Sequence, residues 1–344
     1  TSSGFDAILM LKSGDAVYIQ KYAKDLPNIY SSYFVKDVMA PAGAPKSRCG
    51  VSLDPEIKKK VQHSAGRLMS GEQLRTFRIA IAGNGEFTAQ NGGTAGSAFN
   101  VIVAYVNRMT LVFKKELSVQ FSLVSGTNLV YTNAANDPYT NADQGAMLGQ
   151  NQANVDAIIG SANYDIAHVL GYSGANSGAG GLASLESLCN NDTKAQGVTQ
   201  EGDPTFYSQL YQDQVLFHEV GHQFGMTHSY NSNLGICDTR TQSTSVEPGA
   251  GATIMSYGFI CSEASPGTNS DDYFPSTQVG LILTFHTVNY SQAIAYLGTV
   301  ACGTTTATGN TAPTVTMPAA FTIPKSTPFS LTGGGTDANN DNLT

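Results

Sequence analysis

The chain has 344 residues, of which 13% are charged, and a formal net charge of -8. This length exceeds the usual size of one hydrophobic core, so we expect two or more units, one of them large enough to enclose a cleft. The scarcity of Lys and Arg argues against nucleic acid as a partner, because such binding needs clustered basic side chains. No charged-then-apolar leader and no apolar run of about eighteen residues occurs, so we expect neither a signal peptide nor a membrane span in these residues.

Five cysteines are spread along the chain without a CxxC pair, at positions 49, 189, 237, 261 and 302. This spacing argues against a cysteine-ligated zinc cluster and against a thioredoxin-like redox site. Together with the abundance of Gly, Asn, Ser and Thr, it favours a secreted, extracellular protein with two disulfides and one cysteine left over. A set of buried free thiols is the alternative.

The N-terminal residues alternate apolar and polar side chains up to about residue 48, with a turn at Ser13-Gly14-Asp15, which predicts a β-hairpin. From Pro41 to about Arg75 the pattern changes to Pro, Gly, Lys and Ser, which is typical of an exposed linker. We therefore predict a first unit over residues 1–74.

Regular periodicities return after this linker. Strand patterns cover residues 77–82, 117–124 and 164–170, helical spacing covers 94–115 and 150–159, and a helix-rich segment follows at 277–297. Strands that alternate with helices predict a largely parallel sheet with crossover helices. The expected fold class is therefore α/β, in a main domain over residues 75–305.

The C-terminal residues are rich in Pro and Thr from Thr311 onward, and they end in a run of Asp and Asn. They resemble the first strands of an immunoglobulin-like or cadherin-like module and are too few to complete one. We predict a linker and the start of such a β module over residues 306–344.

Three of the six histidines lie between residues 218 and 228. In a helix, His218 and His222 project from one face about one turn apart, with Glu219 beside them. Gly225 can adopt a positive φ and end the helix, so that the chain turns back and brings His228 to the same point. Three neutral imidazoles leave a fourth tetrahedral position for water, which is the arrangement of a catalytic zinc.

The predicted chemistry is hydrolysis. Zinc lowers the pKa of bound water to about 7 and polarises a carbonyl group, and Glu219 is predicted to be the general base. An extracellular adhesion module with a purely structural zinc is an alternative of another class, but a structural site needs no base beside its ligands. A zinc hydrolase of a non-peptide amide is the third interpretation.

The histidine segment matches the metzincin signature HExxHxxGxxH, and Thr253-Ile254-Met255-Ser256-Tyr257-Gly258 resembles the Met-containing turn of that family. The resemblance implies an endopeptidase with a twisted, mixed and mostly parallel five-stranded sheet, an active-site helix and a smaller C-terminal subdomain. It also implies that Met255 forms an apolar floor under the three histidines without binding the metal.

Within that family, the stretch from Thr76 to Cys302 is most similar to the adamalysin or reprolysin branch, through Gly180-Gly181-Leu182-Ala183-Ser184-Leu185 and the cysteine at 189. The branch implies that substrate lies antiparallel along this edge strand. Gly181, Leu182 and Ala183 are therefore predicted to bind the substrate main chain. A plain glycine-rich loop is the alternative.

Two residues depart from the adamalysin pattern. Ser229 stands where that branch usually has Asp, and Tyr257 follows Met255 by two residues, as in serralysins and astacins. In those proteins the tyrosine lies near the zinc, which implies that Tyr257 stabilises the oxyanion. A hydroxyl that only satisfies a buried carbonyl group is the alternative.

The segment Ser47-Arg48-Cys49-Gly50-Val51 resembles the cysteine switch of metzincin proenzymes. The resemblance implies that Cys49 binds the zinc as a thiolate in place of water, and that residues 1–74 are the end of an inhibitory propeptide. A disulfide partner or an inert thiol is the alternative for this cysteine.

The other cysteines are assigned to two disulfides. The adamalysin resemblance suggests that Cys189 pairs with Cys302. A bridge between Cys237 and Cys261 would join the segment after the third histidine to the Met-containing turn.

Further expectations concern ligands and partners. Asp271-Asp272 and the residues from Asp337 to Asp341 offer oxygen ligands for a calcium ion, although neither matches a calcium-loop signature. The pocket that sets cleavage preference is expected from the loop at about residues 258–276. We expect a monomer whose partners are protein or peptide substrates and its own propeptide.

Overall fold

The computed structural model describes residues 7–12, 15–22, 28–38, 48–52, 70–204, 209–233, 237, 240–258, 283–320, 322–330 and 332–341. Within these ranges the strands form three separate sheets. The helices are α1 (Gly85–Gln90), α2 (Ala95–Leu117), α3 (Gln144–Ile158), α4 (Gln209–Gln223) and α5 (Thr287–Leu297).

The N-terminal residues form an antiparallel sheet of β1 (Ala7–Met10), β2 (Ala16–Lys21) and β3 (Tyr30–Phe34). The predicted hairpin is confirmed as β1 and β2, and a third strand extends it. Ala16, Tyr18 and Val35 are buried in the main hydrophobic core. The small sheet therefore packs on the rest of the molecule through side chains.

The central sheet contains, from one edge inward, β6 (Val119–Leu123), β5 (Gln73–Gly83), β7 (Ile166–Tyr172), β9 (Gly197–Glu201) and β8 (Gly180–Ser184). Neighbouring strands are parallel except β8 and β9, which are antiparallel. β7 and β9 are buried almost throughout, as expected for strands covered on both faces. The predicted α/β class and the mostly parallel, mixed sheet are confirmed, whereas the predicted number of five strands is too low, since the described sheet has seven.

Two further strands extend the central sheet beyond what the sequence patterns predicted. β10 (Thr304–Ala307) pairs antiparallel with the start of β5, and β4 (Arg48–Ser52) pairs parallel with β8. The segment that contains Cys49 was predicted to be an exposed linker. It forms a strand instead because the edge of β8 presents main-chain N–H and C=O groups that a neighbouring segment can pair with.

The helix boundaries follow from capping side chains. Thr94 and Ser97 form a reciprocal capping box at the start of α2, which confirms the helix predicted over residues 94–115. α3 begins earlier than predicted, because the Asp143 side chain accepts a hydrogen bond from the Ala146 N–H and starts the helix there. Of the predicted helix-rich segment at 277–297, residues 277–282 lie outside the described ranges and the remainder contains α5.

An aromatic cluster joins the sheet to the end of α4. Phe113 on α2 makes edge-to-face contacts with Phe121, Phe224 and Phe285, with ring centroids 5.3 to 5.4 Å apart. Phe224 also meets Phe77 of β5 at 5.8 Å. Buried aromatic pairs stabilise a core beyond the area that they bury, so this cluster holds the C-terminal end of α4 firmly against the sheet.

The Cys189–Cys302 disulfide is confirmed, and it ties the turn after β8 to the residues before β10. Cys237 is also disulfide-bonded, whereas Cys261 lies outside the described residues, so that pairing stays a prediction. Near the C-terminus, β11 (Thr314–Thr316) and β12 (Gly334–Thr336) form a small antiparallel sheet with exposed side chains. In the described ranges, no helix is long and apolar enough to cross a membrane.

Candidate metal centre

Three buried histidines meet at one point. His218 and His222 lie one turn apart on α4, and their Nε2 atoms are 3.0 Å from each other. One ring nitrogen from each of these two and one from His228 all lie within 4.8 Å of one another. Among the described residues, this is the only group of three or more His, Cys, Asp or Glu side chains spaced to hold one metal ion.

Main-chain carbonyl groups orient the two helical imidazoles. The Nδ1 of His218 lies 2.8 Å from the Ile254 carbonyl oxygen, and the Nδ1 of His222 lies 2.7 Å from that of Met226. A hydrogen on each Nδ1 leaves the Nε2 lone pair directed at the shared point. Burial lowers the pKa of His218 to about 4, so this imidazole is neutral at neutral pH, which is the form that binds metal.

The third histidine is held by two tyrosines. The ring of His228 stacks on Tyr230 with centroids 5.0 Å apart, and its Nδ1 lies 3.2 Å from the Tyr230 hydroxyl. On another side, the Tyr257 ring approaches it edge-on at 4.8 Å and also contacts His218 at 5.6 Å. Tyr257 therefore packs directly on two of the three histidines.

Gly225 provides the turn that separates the helical histidines from the third. Its φ is +84°, its N–H donates to the His222 carbonyl, and the next N–H, of Met226, donates to the Gly221 carbonyl. This pair of bonds is the Schellman arrangement that ends a helix. A Cβ on Gly225 would also lie 3.2 Å from Tyr296 and Glu186. A glycine is therefore suited to this position on both conformational and steric grounds.

The side chain of Glu219 lies against the main chain of β8. A Cβ on Gly181 would lie 2.4 Å from the Glu219 Cγ and 2.7 Å from its Oε1, so only glycine permits this approach. Leu182 is half-buried and Ala183 is buried on the same strand. The structure thus brings the predicted substrate strand and the predicted base together.

The Met-containing turn lies beneath α4 at Gly221. A Cβ at that position would lie 2.5 Å from the Sδ of Met255, and Met255 is fully buried in the main core. The adjacent Ile254 supplies the carbonyl that orients His218. The turn therefore supports the helical histidines by both packing and hydrogen bonding.

A buried carboxylate that sequence reasoning did not identify organises the other side of the site. Glu247 is 7% exposed, and its Oε1 accepts hydrogen bonds from the Ser229 hydroxyl at 2.6 Å and the Ser256 hydroxyl at 2.8 Å. Its Oε2 accepts from the N–H groups of Ala252 at 2.8 Å and Thr253 at 3.1 Å. Glu247 thus ties the residue after His228 to the Met-containing turn.

The charge on Glu247 is favoured by these donors. Burial acts to raise the pKa of this carboxyl, but the hydrogen bonds from the Ala252 N–H and from Ser229, Thr253 and Ser256 outweigh it and lower the pKa. The serine at position 229, which departs from the adamalysin pattern, therefore donates to a carboxylate from a distant part of the chain. No local motif marks position 247, so the sequence carried no signal for this contact.

Two predictions lie partly or wholly outside the described residues. The backbone of Cys49 lies opposite Gly181 in the parallel ladder of β4 and β8, and zinc binding by its thiolate stays a prediction. Asp271-Asp272 also falls outside the described ranges. In the C-terminal run, the Asp337 carboxylate accepts hydrogen bonds from the Asn339 and Asp341 N–H groups, and a calcium ion there stays a prediction.

The donor set fits zinc, because three buried imidazoles with engaged Nδ1 atoms and converging Nε2 atoms are the ligands of a catalytic zinc site. Together with the mixed sheet above α4, they define a zinc metallopeptidase of the metzincin type.

Comparison with known families specifies this further. Residues 73–282, more than half of the chain, match the family described as Metallo-peptidase family M12B Reprolysin-like. The chain belongs to this family of zinc metalloproteases. No curated protein matches it.

Proposed function

We propose that this chain is a secreted endopeptidase, folded as a latent proenzyme, that hydrolyses peptide bonds of extracellular proteins. Residues 1–74 are its propeptide segment, residues 75–305 its catalytic domain, and residues 306–344 a linker and the start of a β module. The observation that carries this proposal is the position of β4. This strand occupies the free edge of β8 beside Gly181, and Gly181 abuts Glu219.

In the proposed mechanism, His218, His222 and His228 would hold a zinc ion through their Nε2 atoms. When bound there, zinc would lower the pKa of a coordinated water and polarise the scissile carbonyl group. Glu219 accepts the proton of the attacking water and delivers it to the leaving amine. This role is supported by the close approach of the Glu219 side chain to Gly181 on the proposed substrate strand.

The edge of β8 is the proposed substrate-binding strand. An extended peptide added antiparallel to Gly181, Leu182 and Ala183 would pair its main chain with theirs and pass next to Glu219. β4 uses the same edge in the parallel direction. Its peptide bonds therefore run opposite to those of a substrate, so the segment blocks the edge without presenting a scissile bond in the productive orientation.

Cys49 is the proposed zinc ligand of the latent form. Its backbone is in register with Gly181, one strand spacing of about 4.8 Å from the strand that contacts Glu219. A thiolate at the metal would exclude the water that Glu219 must deprotonate. Tyr257, which packs on His218 and His228, is the proposed donor to the oxyanion.

The test compares initial rates on a casein-like substrate for intact wild type, wild type that is cut within residues 53–69 and then separated from its N-terminal fragment, and intact Cys49→Ser. We expect the intact wild type to be almost inactive and the other two to be active, because a cut turns an intramolecular ligand into a dissociable one and a hydroxyl is a far poorer zinc ligand than a thiolate. Equal rates for all three would overturn latency. Activity that survives exhaustive chelation, or no activity in any of the three, would overturn the peptidase mechanism.

A further inference from the structure

A buried polar pocket lies on α4, on the face turned away from the metal centre. Asp213 on α4 is fully buried, and Arg108 of α2 donates to both of its carboxylate oxygens, from Nε at 2.6 Å and from Nη2 at 2.9 Å. Gln209 adds a third hydrogen bond at 3.0 Å. Asp213 precedes His222 by about two and a half helical turns, which puts the two side chains on opposite faces.

The occupant of this pocket comes from the N-terminal sheet. The Tyr18 ring on β2 is 1% exposed, and its hydroxyl donates to the Asp213 Oδ2 at 2.5 Å. Tyr33 of β3 stacks on the Tyr18 ring with centroids 5.9 Å apart. Burial and the adjacent Asp213 charge raise the pKa of Tyr18 well above its ordinary value, so the hydroxyl keeps the proton that it donates.

We propose that the pocket of Arg108, Gln209 and Asp213 is a docking site for Tyr18, and that it retains the N-terminal segment, residues 7–38, on the enzyme after the chain is cut within residues 53–69. This inference rests on the proposed function in taking that segment as part of a removable propeptide.

The side chains that form the pocket are held together by hydrogen bonds that do not involve the N-terminal segment. Three of the four hydrogen bonds to Asp213 come from Arg108 and Gln209, so the Arg108–Asp213 ion pair does not need Tyr18 to form. In the described strands, β1, β2 and β3 pair only with one another, so main-chain pairing does not tie this small sheet to the central one. Side-chain contacts therefore hold it, among them the Tyr18 hydrogen bond to Asp213 and the burial of Ala16 and Val35 in the main core.

The segment is attached at two distant points, since β4 lies along β8 while Tyr18 lies on the far face of α4. Both attachments precede residue 53, so one cut within residues 53–69 leaves both on the same fragment. Two linked contacts bind far more tightly than either alone, because the second forms at high effective concentration. The cut fragment should therefore dissociate slowly, and loss of the Tyr18 contact should release it.

The test uses the full chain with a site-specific protease sequence introduced within residues 53–69, cut after folding. Release of the N-terminal fragment is followed by size-exclusion chromatography after dilution, in wild type, Tyr18→Phe and Tyr22→Phe. Phe keeps the apolar ring and removes only the donor to a charged acceptor, so we expect release to be roughly tenfold or more faster. Tyr22 is 68% exposed on the same segment, so its variant should match wild type.

Equal release from Tyr18→Phe and Tyr22→Phe would overturn the docking site. If Tyr18→Phe does not fold, hydrogen exchange on cut wild type decides instead: protection of the β2 amides should persist after the cut, and its immediate loss would overturn the inference. A fragment that is released as expected but leaves an inactive protein would refute the proposed peptidase function and leave the docking site intact.

Discussion

The two halves of the metal centre are held in place by different means. His218 and His222 belong to a regular helix, where spacing alone sets their relative position and two carbonyl groups fix their rings. His228 follows a glycine turn and lies in irregular chain, held by aromatic stacking and by the neighbouring Ser229 contact with Glu247. Regular helix geometry sets the relative position of the first two histidines, whereas the position of His228 depends on packing and side-chain contacts in irregular chain. Both halves also use a partner from another segment, Ile254 for His218 and Glu247 for Ser229.

The largest effect should come from the helical half. Glu219→Gln in the cut enzyme should retain zinc, because the three imidazoles are unchanged, and should lose about 100- to 10,000-fold in kcat, because proton transfer is removed. Steady-state kinetics and metal analysis of the same preparation measure both. Glu72→Gln, at an exposed glutamate, is the matched control and should behave as wild type. Activity within a few-fold of wild type would show that Glu219 is not the base.

The next effect tests the loop half. Glu247→Gln keeps the shape of the side chain but removes the charge that five donor groups from Ser229, Ala252, Thr253 and Ser256 engage. We expect zinc affinity about 10- to 100-fold lower, as is typical when support for a ligand is lost. We also expect an unfolding free energy lower by roughly 1–3 kcal/mol.

Competition with a chelator and urea unfolding measure these two quantities, again with Glu72→Gln as control. Unchanged zinc affinity would mean that the loop half does not depend on Glu247, and the contrast between the halves would fail.

A third variant tests the contact between α4 and the Met-containing turn. In Gly221→Ala the new Cβ would lie 2.5 Å from the Met255 Sδ, so the buried Met255 side chain must shift. Overpacking of this kind costs about 1–3 kcal/mol of unfolding free energy, partly offset by the better helix propensity of Ala. Gly149→Ala in α3 is the matched control, since nothing lies within 4 Å of its Cβ, and it should be neutral or stabilising. Equal stability of both variants would show that Met255 moves at no cost.

The smallest effect is a pH dependence of stability. The pKa of Glu247 is lowered from its ordinary 4.5 in the folded protein, so its charge stabilises the fold above that value and this contribution is lost as pH falls through the folded-state pKa. With a chelator present, the difference in unfolding free energy between wild type and Glu247→Gln should therefore shrink below about pH 4.5. The histidines titrate in both proteins, so their contribution to the unfolding free energy cancels in that difference. A difference that is constant from pH 7 to pH 3 would contradict the assignment.

Much of this protein can be predicted from short-range sequence patterns. Helical spacing put His218, Glu219 and His222 on one helix, strand patterns predicted β5, β6 and β7 of the central sheet, and Thr94 marked the start of α2. These features depend on interactions within a few residues, so the sequence alone determined them. The metzincin resemblance added the Cys189–Cys302 pairing, which no local rule could supply.

Tertiary structure alone decided the contacts between distant segments. Glu247 reaches Ser229 and the Met-containing turn, Tyr18 reaches Asp213 across 195 residues, and the segment of Cys49 pairs with the edge of β8. Each contact depends on which surfaces the folded chain brings together. A buried carboxylate can accept hydrogen bonds from any donor beside it, and an unpaired strand edge can pair with any extended segment beside it. No periodicity encodes that partner, so only the folded structure reveals it.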